Sequence, residues 1–453
     1  MEQATAFVKL ISDFLWDNVL LYVLVLAGVW FTIRTRFVQV RKFGEGFKRL
    51  FGGFNLNGKK AGADGMSSFQ ALTTAIAAQV GTGNIAGCAT AIASGGPGAI
   101  FWMWLSAFFG MSTIYGEAVL AQKYKTTIDG QVTGGPIYYI RAAFKGKFGK
   151  FLAGFFSIAI ILALGFMGNM VQSNSISDAF DTAFGIPKIA VGLVVAAAAA
   201  FIFLGGVKRI AAVTEKLVPV MAAFYIVGCV VILFINHATL LESIKSIFVM
   251  AFNPQAMMGG VLGVTIKEAM RYGVARGLFS NEAGMGSTPH AHALAKVEKP
   301  EDQGCIAMVG VFIDTFVILT LTALVIISSG ALTANPGLDG TPLAQAAFHA
   351  AFGHFGNIFI AICMLFFAFS TIIGWYFFGE SNVKALFGTK ATKVYAVIVV
   401  LFVVLGSVLK VQLVWNLSDF FNGLMVLPNL VGLIALSGVI AKNARGLDSP
   451  LQK

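Results

Sequence analysis

Eleven apolar runs, each long enough to cross a bilayer, leave this chain little choice of fold. They fall at about 14–33, 66–94, 97–122, 148–180, 188–207, 211–236, 260–290, 304–331, 343–378, 391–409 and 412–440. Hydrophobic residues make up 57% of the chain and charged residues 12%, more apolar surface than a soluble domain can bury. Backbone polar groups in hydrocarbon must be satisfied within their own segment. The expected fold class is therefore all-α, a polytopic membrane protein with 11 transmembrane helices.

The net charge of +11 would elsewhere suggest nucleic acid. Its placement argues otherwise. Loop 34–65 carries eight Lys or Arg, including Lys59 and Lys60, and loop 123–150 carries six. Alternate loops together with the C-terminus collect 25 of the 32 basic residues; the opposite side holds only Lys9, Lys188, Lys245 and Lys410. The positive-inside rule then predicts a multi-pass protein of the cell (plasma) membrane, N-terminus outside and C-terminus cytoplasmic, with no nucleic-acid partner. No cleavable leader is expected, because the first apolar run follows a short mixed stretch without an A-x-A site. Cys88, Cys229, Cys305 and Cys363 lie in or beside apolar segments, form no CxxC, and read as small buried hydrophobes.

Apart from the first run, the segments form two parallel series of five. One starts near 66, 97, 148, 188 and 211, the other near 260, 304, 343, 391 and 412. GNIAG at 83–87 is answered by SNEAG at 280–284, 197 positions later, and SNSISDAF (173–180) weakly by SNVKALF (381–387). Five crossings are an odd number, so the second unit enters from the opposite side, an inverted repeat of the kind common in secondary transporters. The expected organisation is an N-terminal helix and basic cytoplasmic loop (1–65), a first five-helix repeat (66–236), an extracellular connector (237–259), a second, inverted repeat (260–440) and a cytoplasmic tail (441–453).

The stretch AAQVGTGNIAG (77–87) is unusual for a helix in hydrocarbon. As one unbroken helix, run 66–94 would extend ~44 Å, well beyond a core of about 30 Å. Gly81, Thr82 and Gly83 are weak helix formers, which predicts a break near Val80–Gly83 and a restart at about Asn84. The freed N–H groups and positive dipole end of the restarted helix suit a carboxylate. The carbonyls ending the first half, Ala77 and Val80 among them, suit a small hard cation. A partner break is expected at GLFSNEAG (277–284). Taken alone, such glycines more often serve close helix packing, and such asparagines a bond to a neighbouring helix. Their matching positions in both halves favour a cavity that would hold a zwitterion beside a cation.

GGPGAIFWMWLSAFFG (95–110) resembles the signature of the sodium:alanine symporter family, the alanine or glycine:cation symporters; RGLFSNEAGMGS (276–287) and VGTGNIAG (80–87) also resemble its characteristic stretches. The likeness extends over essentially the whole chain. It implies a LeuT-like fold of the amino acid-polyamine-organocation superfamily, a 5+5 inverted repeat with discontinuous first and sixth core helices. It also implies sodium-coupled uptake of small neutral amino acids, alanine and/or glycine, by alternating access, with no cofactor beyond sodium as coupling ion and no obligate protein partner. Carried over residue by residue, Gly81, Thr82, Gly83 and Asn84 would hold the substrate carboxylate, with Asn281 at the second break. The sodium ligands would be Ala77, Val80, Phe367, Ser370 and Thr371. Gln79 stands where many relatives are expected to have a smaller or hydroxyl residue, and bears on substrate size. Phe166, Phe279 and Trp375 are candidate walls, although aromatics in such segments usually serve the core or face lipid.

Charged residues inside apolar segments are functional suspects: Glu117, Glu268, Arg271, Arg276, Glu282, Asp314 and Asp419. Glu268 and Arg271 are spaced to neutralise each other, and structural pairing or gating near a helix end is the expectation for Glu117 and Arg276. A proton-coupled symporter of the same fold, using one of these carboxylates, is the alternative reading; an ion channel is a weaker one. An enzyme is not expected. His290 and His292 in PHAHA point to different sides of a helix, and neither HExxH nor a nucleophile–base set occurs.

Overall fold

The computed structural model describes residues 2–51, 65–253 and 264–447. Lys59, Lys60, part of the expected connector (254–259), the start of the seventh run (260–263) and the end of the tail (448–453) lie outside them.

Among the described residues, eight helices are long and apolar enough to cross a membrane: α1 (Ala6–Arg34), α2 (Ala99–Lys123), α3 (Gly146–Phe184), α4 (Gly206–Ile235), α5 (Pro300–Ser328), α6 (His354–Phe387), α7 (Ala391–Val408) and α8 (Gln412–Ala435). Three of the expected runs take another form. Run 188–207 is the shorter apolar helix Lys188–Phe203. Run 66–94 is the interrupted pair Ser68–Gln79 and Cys88–Gly95. Run 260–290 is Ile266–Asn281 followed by the short helix Pro289–Ala293.

One boundary differs from expectation. The run at 343–378 is two elements, Gly340–Phe352 and α6, because Gly353 (φ +60°) turns the chain back between them. The stretch expected as the connector (237–259) holds a regular helix, His237–Phe252, which packs on Phe101 and Trp102.

Both interrupted helices start with the same device. Ser67 Oγ accepts from Gln70 N (3.0 Å) while Gln70 Oε1 accepts from Ser67 N (3.1 Å). Thr265 and Glu268 repeat this reciprocal capping at 3.1 and 2.7 Å. Glu268 is thereby a cap and not the partner of Arg271, which pairs with Asp13 and Asp17 on α1 instead.

Cys88–Gly95 and Ile266–Asn281 pack with each other and with α2, on which α5 also packs, whereas Ser68–Gln79 packs mainly on α4 and α6; α3, Lys188–Phe203, α6 and α7 also pack among themselves. The breaks lie between these groups. Lipid-facing rows remain on the outside, as at Val394, Val397, Leu401, Leu405 and Val408 along α7. The four cysteines are buried and free.

Candidate functional site

The first interrupted helix ends at Gln79. Val80 leaves helical geometry (φ −81°, ψ 87°), and winding resumes as a π turn at Gly83–Gly87. A loosened turn frees backbone groups that lipid cannot satisfy. Here side chains meet them: Gly81 N donates to Asn84 Oδ1 (3.0 Å) and Thr82 N to Gln172 Oε1 (3.1 Å). The N–H groups expected to face a ligand are therefore already capped within the protein.

The second break lies in the later half of the expected stretch 277–284 and runs on to Gly286. The helix persists through Gly277–Asn281 and stops at Glu282, which takes a left-handed conformation (φ +59°); Gly284 (φ +94°) and Gly286 (φ +81°) complete the turn. Glycine at 277 costs helix stability but does not end the helix by itself. Glu117 on α2 holds the unwound segment, accepting from Gly284 N (3.1 Å), Gly286 N (2.8 Å) and Asn429 Nδ2 (2.7 Å). Glu282 accepts from Trp375 Nε1 (2.5 Å) and from Ser287 Oγ.

The breaks touch. A Cβ at Gly83 would stand 3.0 Å from the Ser280 Cα and 3.3 Å from the Phe279 ring. Gln79 Nε2 bridges them by donating to Asn281 O (2.7 Å). Phe279 meets Trp375 edge-on at 5.4 Å and Trp415 at 4.8 Å. Above this aromatic layer, Arg276 makes a bidentate pair with Asp419 (2.7 Å each) and lies over Trp415 at 4.5 Å.

On the other flank, Thr371 Oγ1 has three carbonyl acceptors within reach of its one proton, Ala77 O (2.9 Å), Phe367 O (3.1 Å) and Ala78 O (3.3 Å); Ser370 Oγ reaches Ala77 O (3.2 Å) and Phe367 O (2.8 Å). These hydroxyls both bond back to their own helix and cross to the broken one. Val80, three residues before the π turn, is buried nearby, and among the described bonds its carbonyl accepts from neither hydroxyl. A Cβ at Gly81 would collide with Thr371 Oγ1, so glycine there permits the close approach of break and hydroxyl pair.

Of the residues singled out in sequence, Gln79, Gly81, Thr82, Gly83, Asn84, Phe279, Asn281 and Trp375 meet around the two breaks, with Ala77, Phe367, Ser370 and Thr371 alongside. Phe166 does not join them; it stacks on Phe402 (4.8 Å) and contacts Tyr395 on α7. The residue of that helix facing Trp375 is Gly168, where any Cβ would strike the indole. Gln172 went unnoticed in sequence. A buried glutamine in SNS-rich context, one turn from Gly168, was the available signal. Asp314 was noticed only as a membrane charge; it accepts from Asn84 Nδ2 (2.7 Å), Ser280 Oγ (2.9 Å) and Thr315 Oγ1 (2.8 Å). Three buried polar atoms at the breaks, Gln79 Oε1, Thr82 Oγ1 and Gln172 Nε2, have no partner among the described residues. His290 and His292 bond to different neighbours, Asn382 and Gln303.

A polytopic membrane protein with two broken helices meeting at a polar, buried centre belongs to the class of transporters. The chain is a member of the sodium:alanine symporter family, whose model matches residues 1–450. It is 41% identical over 446 residues to the sodium/alanine symporter AgcS of Methanococcus maripaludis, covering 97% of this chain and 96% of the relative. It is 42% identical over 434 residues to the probable sodium/glutamine symporter GlnT of Bacillus subtilis, covering 96% and 88%. Among solved structures it resembles MhsT in complex with L-phenylalanine, with a TM-score of 0.59 at 14% identity, covering 85% of this chain and 100% of that one. At that identity the likeness speaks for the LeuT-like fold alone.

Proposed function

We propose that the protein is a sodium-coupled symporter that takes up small neutral amino acids, alanine and/or glycine, by alternating access. The observation that carries this reading is the meeting of the Ser370 and Thr371 hydroxyls with the Ala77 carbonyl at the end of a broken helix. Oxygen ligands from two helices, one of them interrupted, suit a small hard cation whose arrival changes how those helices fit together. Ala77, Val80, Phe367, Ser370 and Thr371 form the proposed sodium site.

The substrate lies beside it, against Gln79, Gly81, Thr82, Gly83, Asn84 and Asn281, with Phe279 and Trp375 as walls. Gln172 joins this set: its free Nε2 is a donor for a carboxylate, and the free Gln79 Oε1 an acceptor for an ammonium. Phe166 acts only through the packing of α3 on α7. A small substrate is favoured because Gly168 presses directly on Trp375 and Gly83 on Ser280, leaving little room for a longer side chain. Identity to relatives does not choose between alanine and glutamine, since those two carry almost the same value.

The whole chain then crosses the plasma membrane eleven times, N-terminus outside. The two halves, 66–236 and 260–440, form the inverted repeat, and the paired capping boxes at Ser67 and Thr265 support that division. Segment 1–65 supplies an extra helix and a cytoplasmic loop, 237–259 the outer connector and 441–453 the inner tail.

Reconstituted in liposomes, the protein should accumulate labelled alanine under an inward sodium gradient, with excess glycine competing and glutamine not. Accumulation driven only by a proton gradient would replace the coupling ion. Competition by glutamine would replace the substrate class.

A further inference from the structure

α1 ends in a turn whose two successive residues, Arg36 and Phe37, both take the left-handed conformation (φ +56° each). A side chain there crowds its own backbone, so glycine or asparagine is the usual occupant. The turn is fixed from within. Phe37 N donates to Thr32 O (2.7 Å), and the Arg41 guanidinium donates to the carbonyls of Arg36 (2.6 Å), Thr35 (2.9 Å) and Ala444 (3.2 Å). Val38 and Gln39 are buried and anchor it, Gln39 Nε2 donating to Thr32 Oγ1 (2.8 Å). Arg36 and Phe37 themselves are exposed, and neither side chain has a hydrogen-bond, ion-pair or ring partner among the described residues. Glycine would make the same turn without strain. A large cation and a large apolar ring kept there at a cost point to something outside the chain. The surroundings are of one kind. The same turn exposes Ile33 (63%), Phe37 (51%) and Val40 (62%), and the Arg34 guanidinium lies 5.9 Å from the Trp30 ring. No acidic residue occurs between Asp17 and Glu45, and the nearby bases Lys42 and Arg49 are already paired with Glu301 and Asp302.

We propose that the turn at 33–40 is a docking surface for an anionic phospholipid of the inner leaflet, whose phosphate is taken by Arg34 and Arg36 and whose chains lie along Ile33, Phe37 and Val40. This rests on the membrane orientation given above, which puts the end of α1 at the cytoplasmic face; it does not depend on the substrate or the coupling ion. A guanidinium presents paired N–H donors to phosphate oxygens and keeps its charge in the headgroup region. An aromatic ring at that depth rests on the upper methylenes. Because the turn is already rigid, lipid meets a formed surface and does not have to order one. Each arginine facing an anionic leaflet adds about fivefold in affinity. Arg41 bonds both Arg36 O and Ala444 O, so a headgroup that steadies Arg36 also steadies the junction of α1 with the C-terminal segment. Binding is therefore readable as thermal stability.

The test titrates the purified full-length chain, in neutral detergent, with phosphatidylglycerol or phosphatidylcholine and follows thermal unfolding. Phosphatidylglycerol should raise the unfolding temperature saturably, and phosphatidylcholine should not reproduce the rise. Arg34→Gln with Arg36→Gln should increase the half-saturating lipid concentration roughly thirtyfold, and Phe37→Ser several-fold. Arg36→Gly relieves the left-handed strain. It should unfold no earlier than wild type without lipid, yet lose about fivefold in lipid affinity, which separates a lost partner from a damaged fold. Lys145→Gln with Lys147→Gln, exposed bases of another inner loop, should leave the response unchanged. A phosphatidylglycerol response in the double arginine variant equal to wild type would overturn the site. An equal loss in the double lysine variant would also overturn it, in favour of net charge alone. Equal stabilisation by glycerol phosphate would overturn it in favour of a soluble anion. Sodium-dependent alanine binding is measured on the same preparations; its absence from wild type would sink the symport reading and leave the lipid surface standing.

Discussion

At Thr371 one hydroxyl does what polar groups in membrane helices usually do, bonding back to Phe367 O at 3.1 Å, and something they seldom need to do, crossing to Ala77 O at 2.9 Å. If the crossing serves sodium, removing the oxygens weakens the ion before it weakens the fold. Ser370→Ala with Thr371→Ala should raise the sodium concentration for half-maximal alanine uptake by about tenfold, ~1.4 kcal/mol. Unchanged sodium activation in a well-folded double variant would remove those hydroxyls from the site. Gly83 offers a less clean test than its place in the GTGN motif suggests. Its neighbour is the Ser280 backbone, so a larger residue would wedge the two broken helices apart and damage the fold along with any binding. Gln172 is the better probe. Gln172→Ala leaves Thr82 N without its acceptor and should weaken alanine binding by about 1–3 kcal/mol, the cost of an unsatisfied buried group, read by equilibrium binding.

Among the elements, the conspicuous sixteen-residue stretch at 95–110 turns out to serve packing. Gly95 lets the Ala269 backbone approach, and Gly98 sits against the Met250 backbone. Trp102 donates to Ala251 O (3.2 Å) and Trp104 to Thr320 Oγ1 (2.8 Å). The most recognisable sequence thus sets the frame around the site, while the site itself is made by sparse polar residues. α1 docks on that frame through Gly28, whose Cβ would stand 2.7 Å from the Phe109 Cβ, and through Arg271 with Asp13 and Asp17. Gly28→Leu should loosen this contact and lower the unfolding temperature of the purified protein, an overpacking penalty of roughly 1–3 kcal/mol. At the aromatic layer, Asp419→Ala leaves Arg276 buried without a partner. The expected loss is about 3–5 kcal/mol, with Asp419→Asn milder; equal thermal stability of both variants and wild type would deny that the pair matters.

The first break was legible because two glycines flank a β-branched residue within a run too long for one helix. Its partner falls within the expected stretch 277–284, but which residue stops the helix was not legible, since the stop depends on Glu282 adopting a left-handed turn next to a segment held by Glu117 from α2. That is a tertiary contact without local trace. The join at Gly353 was missed because FGHFG lies within continuous apolar sequence. Gln172 stayed hidden for the same reason, and Asp314 was legible only as a membrane charge: their partners lie across the bundle.

For the whole molecule, the proposed repeat explains features that no single helix requires. Matching capping boxes open both broken helices at Ser67 and Thr265. The faint echo between SNSISDAF and SNVKALF falls at the same depth along α3 and α6, counted from Gly146 and His354. In each, the asparagine braces another element: Asn174 bonds the Gly406 and Leu409 carbonyls, and Asn382 bonds His290. Two similar halves facing each other can exchange roles around a central site, and coupling then requires each ligand to favour the same arrangement. The most direct measurement is equilibrium alanine binding to the purified protein in sodium and in choline at equal ionic strength. The account predicts that sodium tightens alanine binding at least about tenfold, and that alanine lowers the sodium needed by the same factor. Equal alanine affinity in both salts would contradict it.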